Sequence, residues 1–198
     1  MKNRIGLALL ALVLFGPATL AVSVKTLNLV QMTERADRVF HGKCLSRQTV
    51  DENASIPIVE YRFLVKKAIK GVADGETVVF RQVGGSETGR PGIPGVPQYR
   101  VGEELVLFLR KESRRGLTSP VGLGQGAFLV KKNGTGRAEV MNFVGNRNLA
   151  VGLSAGEQTG LSSEQLDTLR GGRAIPLSSF AFVVARVARL NGPDNRNR

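Results

Sequence analysis

Apolar and polar residues alternate through the middle of this chain with the two-residue period of a half-buried strand. Val59, Tyr61, Phe63 and Val65 fall on one side and Glu60, Arg62 and Lys66 on the other, which predicts a strand with one face in a core. An earlier strand is expected from about Arg38 to Thr49, with Phe40 and Cys44 on one face and Gly42 between them marking a bulge or strong coil. Val78-Val79-Phe80 open another strand, which Gly84-Gly85 close. Leu105 to Leu109 is apolar at every position, the pattern of a strand covered on both faces. Gly122, Gly124 and Gly126 lead into Ala127-Phe128-Leu129-Val130, and Asn133-Gly134 with Gly136 turns the chain into a last strand, Glu139 to Val144.

Helical spacing occurs at both ends of this β-rich stretch. Leu29, Val30, Met32 and Ala36 predict a short amphipathic helix that covers one end of the sheet, with Asp37 capping or pairing locally at the helix-to-strand junction. Asn146 to Thr159 is polar, glycine-containing and without period, so it reads as a loop. Ser162 starts a short helix that Gly171-Gly172 end. Pro176-Leu177-Ser178 starts another, whose stripe of Leu177, Phe180, Val184, Val187 and Leu190 is widened by Phe182 and Val183. That stripe is expected to dock on the β-domain, while Arg186 and Arg189 leave a membrane or partner role open.

The first residues have the three parts of a secretory signal: Lys2 and Arg4, an apolar run from Ile5 to Phe15, then Gly16-Pro17 and small residues up to Ala21. The competing reading is an uncleaved anchor, but the apolar run is shorter than the roughly 20 residues a bilayer-spanning helix needs. The expected organisation is a signal at 1–21, a β-barrel domain at 22–145, a loop and helical extension at 146–190 and a disordered polar tail at 191–198. The location is then secreted or periplasmic, with no integral membrane segment after signal cleavage. A lone cysteine excludes an internal disulfide, so packing and sheet hydrogen bonds must hold the fold. The net charge of +12 favours anionic surfaces, yet the basic residues are dispersed among acids, which is also the composition of a soluble, self-repelling surface.

Between Ser86 and Arg100, Gly89, Pro91, Gly92, Pro94, Gly95 and Pro97 predict a long exposed loop, either a binding loop or a plain connection. Glu87, Arg90, Tyr99 and Arg100 are its candidate binding residues. Catalytic parts are scarce. His41 is the one histidine and Cys44 the one cysteine, so there is no zinc set, and three residues apart on a strand they face opposite ways. Gly122 to Gly126 lacks the Lys-Ser/Thr of a phosphate loop, and Glu103-Glu104 reads as a solvated turn. No catalytic residue, cofactor or metal is expected, and the chain is read as not an enzyme.

Ala36-Asp37 followed by Gly42, Lys70-Gly71, Gly84-Gly85, Gly102-Glu103-Glu104 with Leu107-Phe108-Leu109, and Gly122-Leu123 with Gln125-Gly126 and Phe128 form an ordered series over about Leu27 to Val144. The series resembles an exported bacterial domain of uncharacterised function, found alone or beside extracellular modules including metalloproteases. More distantly it is similar to the netrin-like domains, including the tissue inhibitors of metalloproteases. That resemblance implies a mainly β, antiparallel OB-like barrel of about five to six strands, with a short N-terminal helix and one or two C-terminal helices. The inhibitors' N-terminal zinc-chelating cysteine and disulfides are missing here, so their chemistry does not carry over. The expected function is an exported binding module for a protein or an anionic envelope polymer. The alternatives are an inhibitor or partner of an exported protease and, further off, a nucleic-acid-binding barrel, disfavoured by export and by the absence of tryptophan for stacking, or a hydrolase.

Overall fold

The computed structural model describes residues 25–51, 57–84, 93–156 and 160–191. The expected signal, Glu87 and Arg90 of the loop, and the tail from 192 onward lie outside the described residues. Among the described residues the chain is mainly β, an antiparallel seven-stranded sheet with three α-helices. Along the sheet the strands lie in the order β3 (Thr77–Val83), β2 (Ile58–Lys70), β1 (Arg38–Asp51), β4 (Glu104–Leu109), β5 (Ala127–Lys132), β6 (Ala138–Asn142) and β7 (Ile175–Pro176). The ladder does not close into a barrel. Two isolated bridges, Arg81 with Leu117 and Leu109 with Pro120, do link β3 to the end of β4 through the intervening segment.

The count of seven exceeds the expected five to six because Ile175-Pro176 adds a strand against Glu139 and Val140. Long β1 and β2 pair with register shifts at Val39/Phe40, His41/Gly42, Cys44/Ser46 and Thr49/Asp51, and each extra residue sharpens the coil. Gly42 sits at one of them. A Cβ there would lie 2.8 Å from the Leu64 carbonyl oxygen, so the crossing of β1 and β2 requires glycine.

The sheet separates two apolar clusters, and β4 feeds both. Leu105, Leu107 and Leu109 join Phe40, Cys44, Tyr61, Phe63, Phe80 and Tyr99 inside the curl of β3, β2, β1 and β4. Val106 and Phe108 point the other way, into a cluster with α1 (Leu29–Arg35), α2 (Ser163–Arg170) and α3 (Leu177–Leu190). This explains the uninterrupted apolar run, since both faces of β4 are covered. Phe180, Val183, Val184 and Val187 of α3 are buried, and the helix packs on α1, β2, β6 and β7.

Local chemistry fixes the helix ends. Asn28 and Gln31 form a reciprocal capping box on α1, with the Gln31 N–H donating to Asn28 Oδ1 at 2.9 Å. At the other end Lys70 Nζ donates to the carbonyls of Thr33 (2.9 Å) and Ala36 (2.6 Å), placing a cation on the negative pole of the helix. Gly71 follows with φ +67°, where an added Cβ would collide with the Asp37 carbonyl. The Ala-Asp and Lys-Gly segments of the sequence series are thus two halves of one structural joint.

Candidate functional site

Tyr99 is 1 % exposed and sits inside the curl, its ring 4.9 Å from that of Tyr61 and 5.6 Å from that of Phe63. Its ring is therefore packed in the core and is not an exposed side chain of the loop, as the loop reading expected. Arg100 is exposed, and its backbone N–H donates to Glu103 Oε2 at 2.8 Å. The described end of the loop is strapped on both sides. Gly124 N–H donates to the Gly95 carbonyl at 3.2 Å, and Gln82 Nε2 donates to the Pro97 carbonyl at 2.7 Å. Pro97 and Tyr99 turn inward while Gln98 and Arg100 turn outward, the two-residue period of an extended segment.

Beside this segment lies an open apolar surface that the sequence reading did not single out. On β5 and β6, Leu129 pairs with Met141, and Lys131 with Glu139, so their side chains share one sheet face. Leu129 packs against the cluster inside the curl, while the face beyond it is exposed. Met141 is 40 % exposed, Phe143 47 % and Val144 42 %. A groove of about 410 Å³ runs between Leu129, Lys131, Met141 and Phe143. A second of about 300 Å³ lies between Val96, Pro97, Leu123, Phe143 and Val144. Phe143 is shared by both, so the grooves join into one surface with Lys131 and Lys132 at its edge. Exposed neighbouring apolar side chains of this size mark interaction sites more often than solitary ones do. The residues Val140-Met141-Asn142-Phe143 carry apolar groups on both phases, which is why alternation alone did not say which side stays open.

The glycine series proves architectural. Gln125 holds the chain entry, with Oε1 accepting the Leu27 N–H at 2.9 Å and Nε2 donating to the Lys25 carbonyl at 3.0 Å. A Cβ on Gly126 would collide with the Val121 carbonyl. Glu104 bridges two strands, accepting from Lys66 Nζ at 2.5 Å and lying 3.0 Å from His41 Nε2. The Lys66 bond leads in holding the Glu104 carboxyl below its usual range, while burial outweighs Glu104 in lowering the pKa of His41. This trio on the sheet's outer side is a cross-strand clamp of an ionised acid and a neutral imidazole. Cys44 lies in the interior instead, its thiol pushed up to about 11 chiefly by burial, so it presents no thiolate at neutral pH.

The sequence reading counts no Gly-x-Ser-x-Gly motif, yet Gly152 to Gly156 carries one. A nucleophile elbow needs a strand-to-helix turn, whereas Val151 to Ala155 form turns and bends between β6 and α2, and Gly156 pairs with Leu161. The pattern has the letters of the motif without its setting.

Burial also raises the pKa of both tyrosines, Tyr99 well above the ordinary value. The folded state therefore favours neutral phenols. This stabilisation is complete below the unfolded value near 10 and is lost as pH rises above it. Absorbance at 295 nm is expected to stay flat through pH 10 and to rise only together with loss of the far-UV dichroism. A phenolate signal with an ordinary midpoint in the intact fold would contradict the buried placement.

No family model matches the chain, and no curated protein or solved structure matches it either.

Proposed function

We propose that this chain is an exported, non-enzymatic binding module that docks a protein partner on the surface formed by Met141, Phe143 and Val144. The observation that carries this reading is the pair of adjoining apolar grooves meeting at half-exposed Phe143. Fully burying a Phe or Met side chain contributes roughly 1.5–3 kcal/mol, so Phe143 and Met141 have the size of interface anchors. Lys131 and Lys132 at the edge favour a partner with acidic residues around an apolar centre. The curl of β3, β2, β1 and β4 around one aromatic interior, with the bridges through Leu117 and Pro120, supports reading that half as an opened OB-like barrel. Export through the N-terminal signal belongs to the same proposal.

The high positive charge favours a second reading, in which the ligand is an anionic envelope polymer. The test is capture of partners from an envelope extract by the full mature chain and by a Met141→Ser, Phe143→Ser variant. A protein partner is expected to lose at least about 30-fold in affinity, corresponding to about 2 kcal/mol, while the variant stays folded. A ligand indifferent to both substitutions but released by salt and by Lys131→Glu with Lys132→Glu would place the polymer reading first.

A further inference from the structure

One layer inside the curled sheet holds polar side chains with buried atoms that have no hydrogen-bond partner. Arg47 lies directly across from Tyr61, Thr49 across from Val59, and Val59 across from Gln82. Val59 and Tyr61 belong to the interior cluster, so Arg47, Thr49 and Gln82 share that face, and Tyr99 enters it from the segment after Pro97. Within this one layer Arg47 Nε, Thr49 Oγ1, Tyr61 Oη, Gln82 Oε1 and Tyr99 Oη are buried without a hydrogen-bond partner. Tyr61, Tyr99 and Gln82 are at most 1 % exposed. The Tyr61 phenol lies within range of the Arg47 guanidinium and of the Tyr99 backbone N–H but forms no hydrogen bond of ordinary geometry with either. Native interiors rarely leave such groups unpaired, and a concentration of them at one place calls for a cause.

Arg47 gives the layer its chemistry. Of the ion pairs among the described residues, none involves Arg47, whereas Arg38, Arg62, Arg81 and Arg170 each hold a carboxylate. Its Nη2 makes one long bond, 3.3 Å, to the exposed side chain of Gln98. Glu103 is the acid whose charge, like that of Arg47, reaches Cys44, and its Oε2 is already engaged by the Arg100 N–H. The side-on edge of a guanidinium, Nε with Nη2, matches the two oxygens of a carboxylate. Here one corner of that edge is unpartnered and the other is held weakly by a surface amide, with hydroxyl donors of Thr49, Tyr61 and Tyr99 in the same layer.

We infer that this layer is a binding site for a carboxylate, which takes the place of Gln98 on the Nε/Nη2 edge of Arg47 and draws on the neighbouring hydroxyls. The site stands independently of the Phe143 surface. The carboxylate comes either from a free small acid or from an acidic side chain of a bound peptide, and the two are separable. Both tyrosines of the chain lie in this layer and the chain has no tryptophan, so intrinsic fluorescence reports on it directly.

The full mature chain is titrated with succinate and, in a second arm, with a glutamyl peptide capped at both ends, each against sodium chloride of equal ionic strength. A saturable change in tyrosine fluorescence with succinate assigns a free acid, and one with the peptide alone assigns a side chain. Arg47→Met is expected to weaken binding at least about tenfold, and Gln98→Ala, at an exposed position, to tighten it about two- to fivefold. A response matched by chloride, or binding unchanged in Arg47→Met, overturns the assignment. Should Arg47→Met not fold, an affinity unchanged or lowered by Gln98→Ala overturns it equally.

Discussion

Replacing Phe108 by alanine is expected to destabilise the protein by about 3–5 kcal/mol, one of the largest effects available to a single core substitution. Phe108 lies on β4, the middle strand of the sheet, with no exposed surface. Its ring centroid is 5.6 Å from that of Phe128 and 6.3 Å from that of Phe180, so it joins two strands to α3. Alanine would remove the ring's buried area and leave a cavity bounded by sheet and helix, which cannot both move inward. Phe182, on the same helix as Phe180 but 60 % exposed, is the internal comparison, and its alanine variant should change stability by less than about 0.5 kcal/mol. Denaturant unfolding of both variants checks the contrast. Equal effects would mean that α3 does not dock through the Phe180 face.

Asn146→Ala is expected to cost about 2–4 kcal/mol, although it removes a polar side chain from a segment that reads as loop. Asn146 is fully buried. Its Oδ1 accepts the Asn142 N–H at 2.8 Å, and its Nδ2 donates to the carbonyls of Val140 (3.0 Å) and Arg173 (2.7 Å). Asn142 returns the bond, accepting the Asn146 N–H at 2.7 Å, and donates to the Gln125 carbonyl at 3.0 Å. These bonds tie the end of β6 to the glycine turn before β5 and to the chain just before β7. Alanine would strand one buried N–H, the buried Val140 carbonyl and the partly buried Arg173 carbonyl, and the backbone φ of +54° disfavours it further. Asn146→Gly relieves the backbone while losing the same bonds. It should recover at most about 1 kcal/mol of the alanine loss, and fuller recovery would show that conformation, not the network, carries the cost.

This network marks the boundary of what the amino-acid pattern could reveal. The alternation of Val59, Tyr61, Phe63 and Val65 and the doubly apolar β4 are local signals, and each matches the burial found. The same holds for the glycines, whose need is backbone geometry. Asn146 gives no such signal, because its value comes from partners as far off as Arg173. β7 is only two residues long and is created by pairing with Glu139 and Val140, not by propensity. The prolines and glycines of 86–100 signal an exposed loop, and Tyr99 is read as one of its contact groups although its ring is buried. Its phase with Pro97 was the available clue, and the aromatic interior that receives it forms only when β1, β2 and β3 come together. For the candidate surface the obstacle was different. Apolar residues on both phases of β6 are consistent with burial on either side, and only the extent of the helices and the curl decides that Met141 and Phe143 stay open.

Site-specific photocross-linking reads directly whether Phe143 touches a protein partner. A photoreactive phenylalanine analogue is placed at Phe143 in the mature chain and, as a comparison, at the equally reachable Phe182, and both are irradiated in the envelope extract. One discrete protein adduct is expected from position 143, lost when Met141→Ser is added, and no such adduct from position 182. The same adducts from both positions, or an adduct at 182 alone, would contradict that expectation.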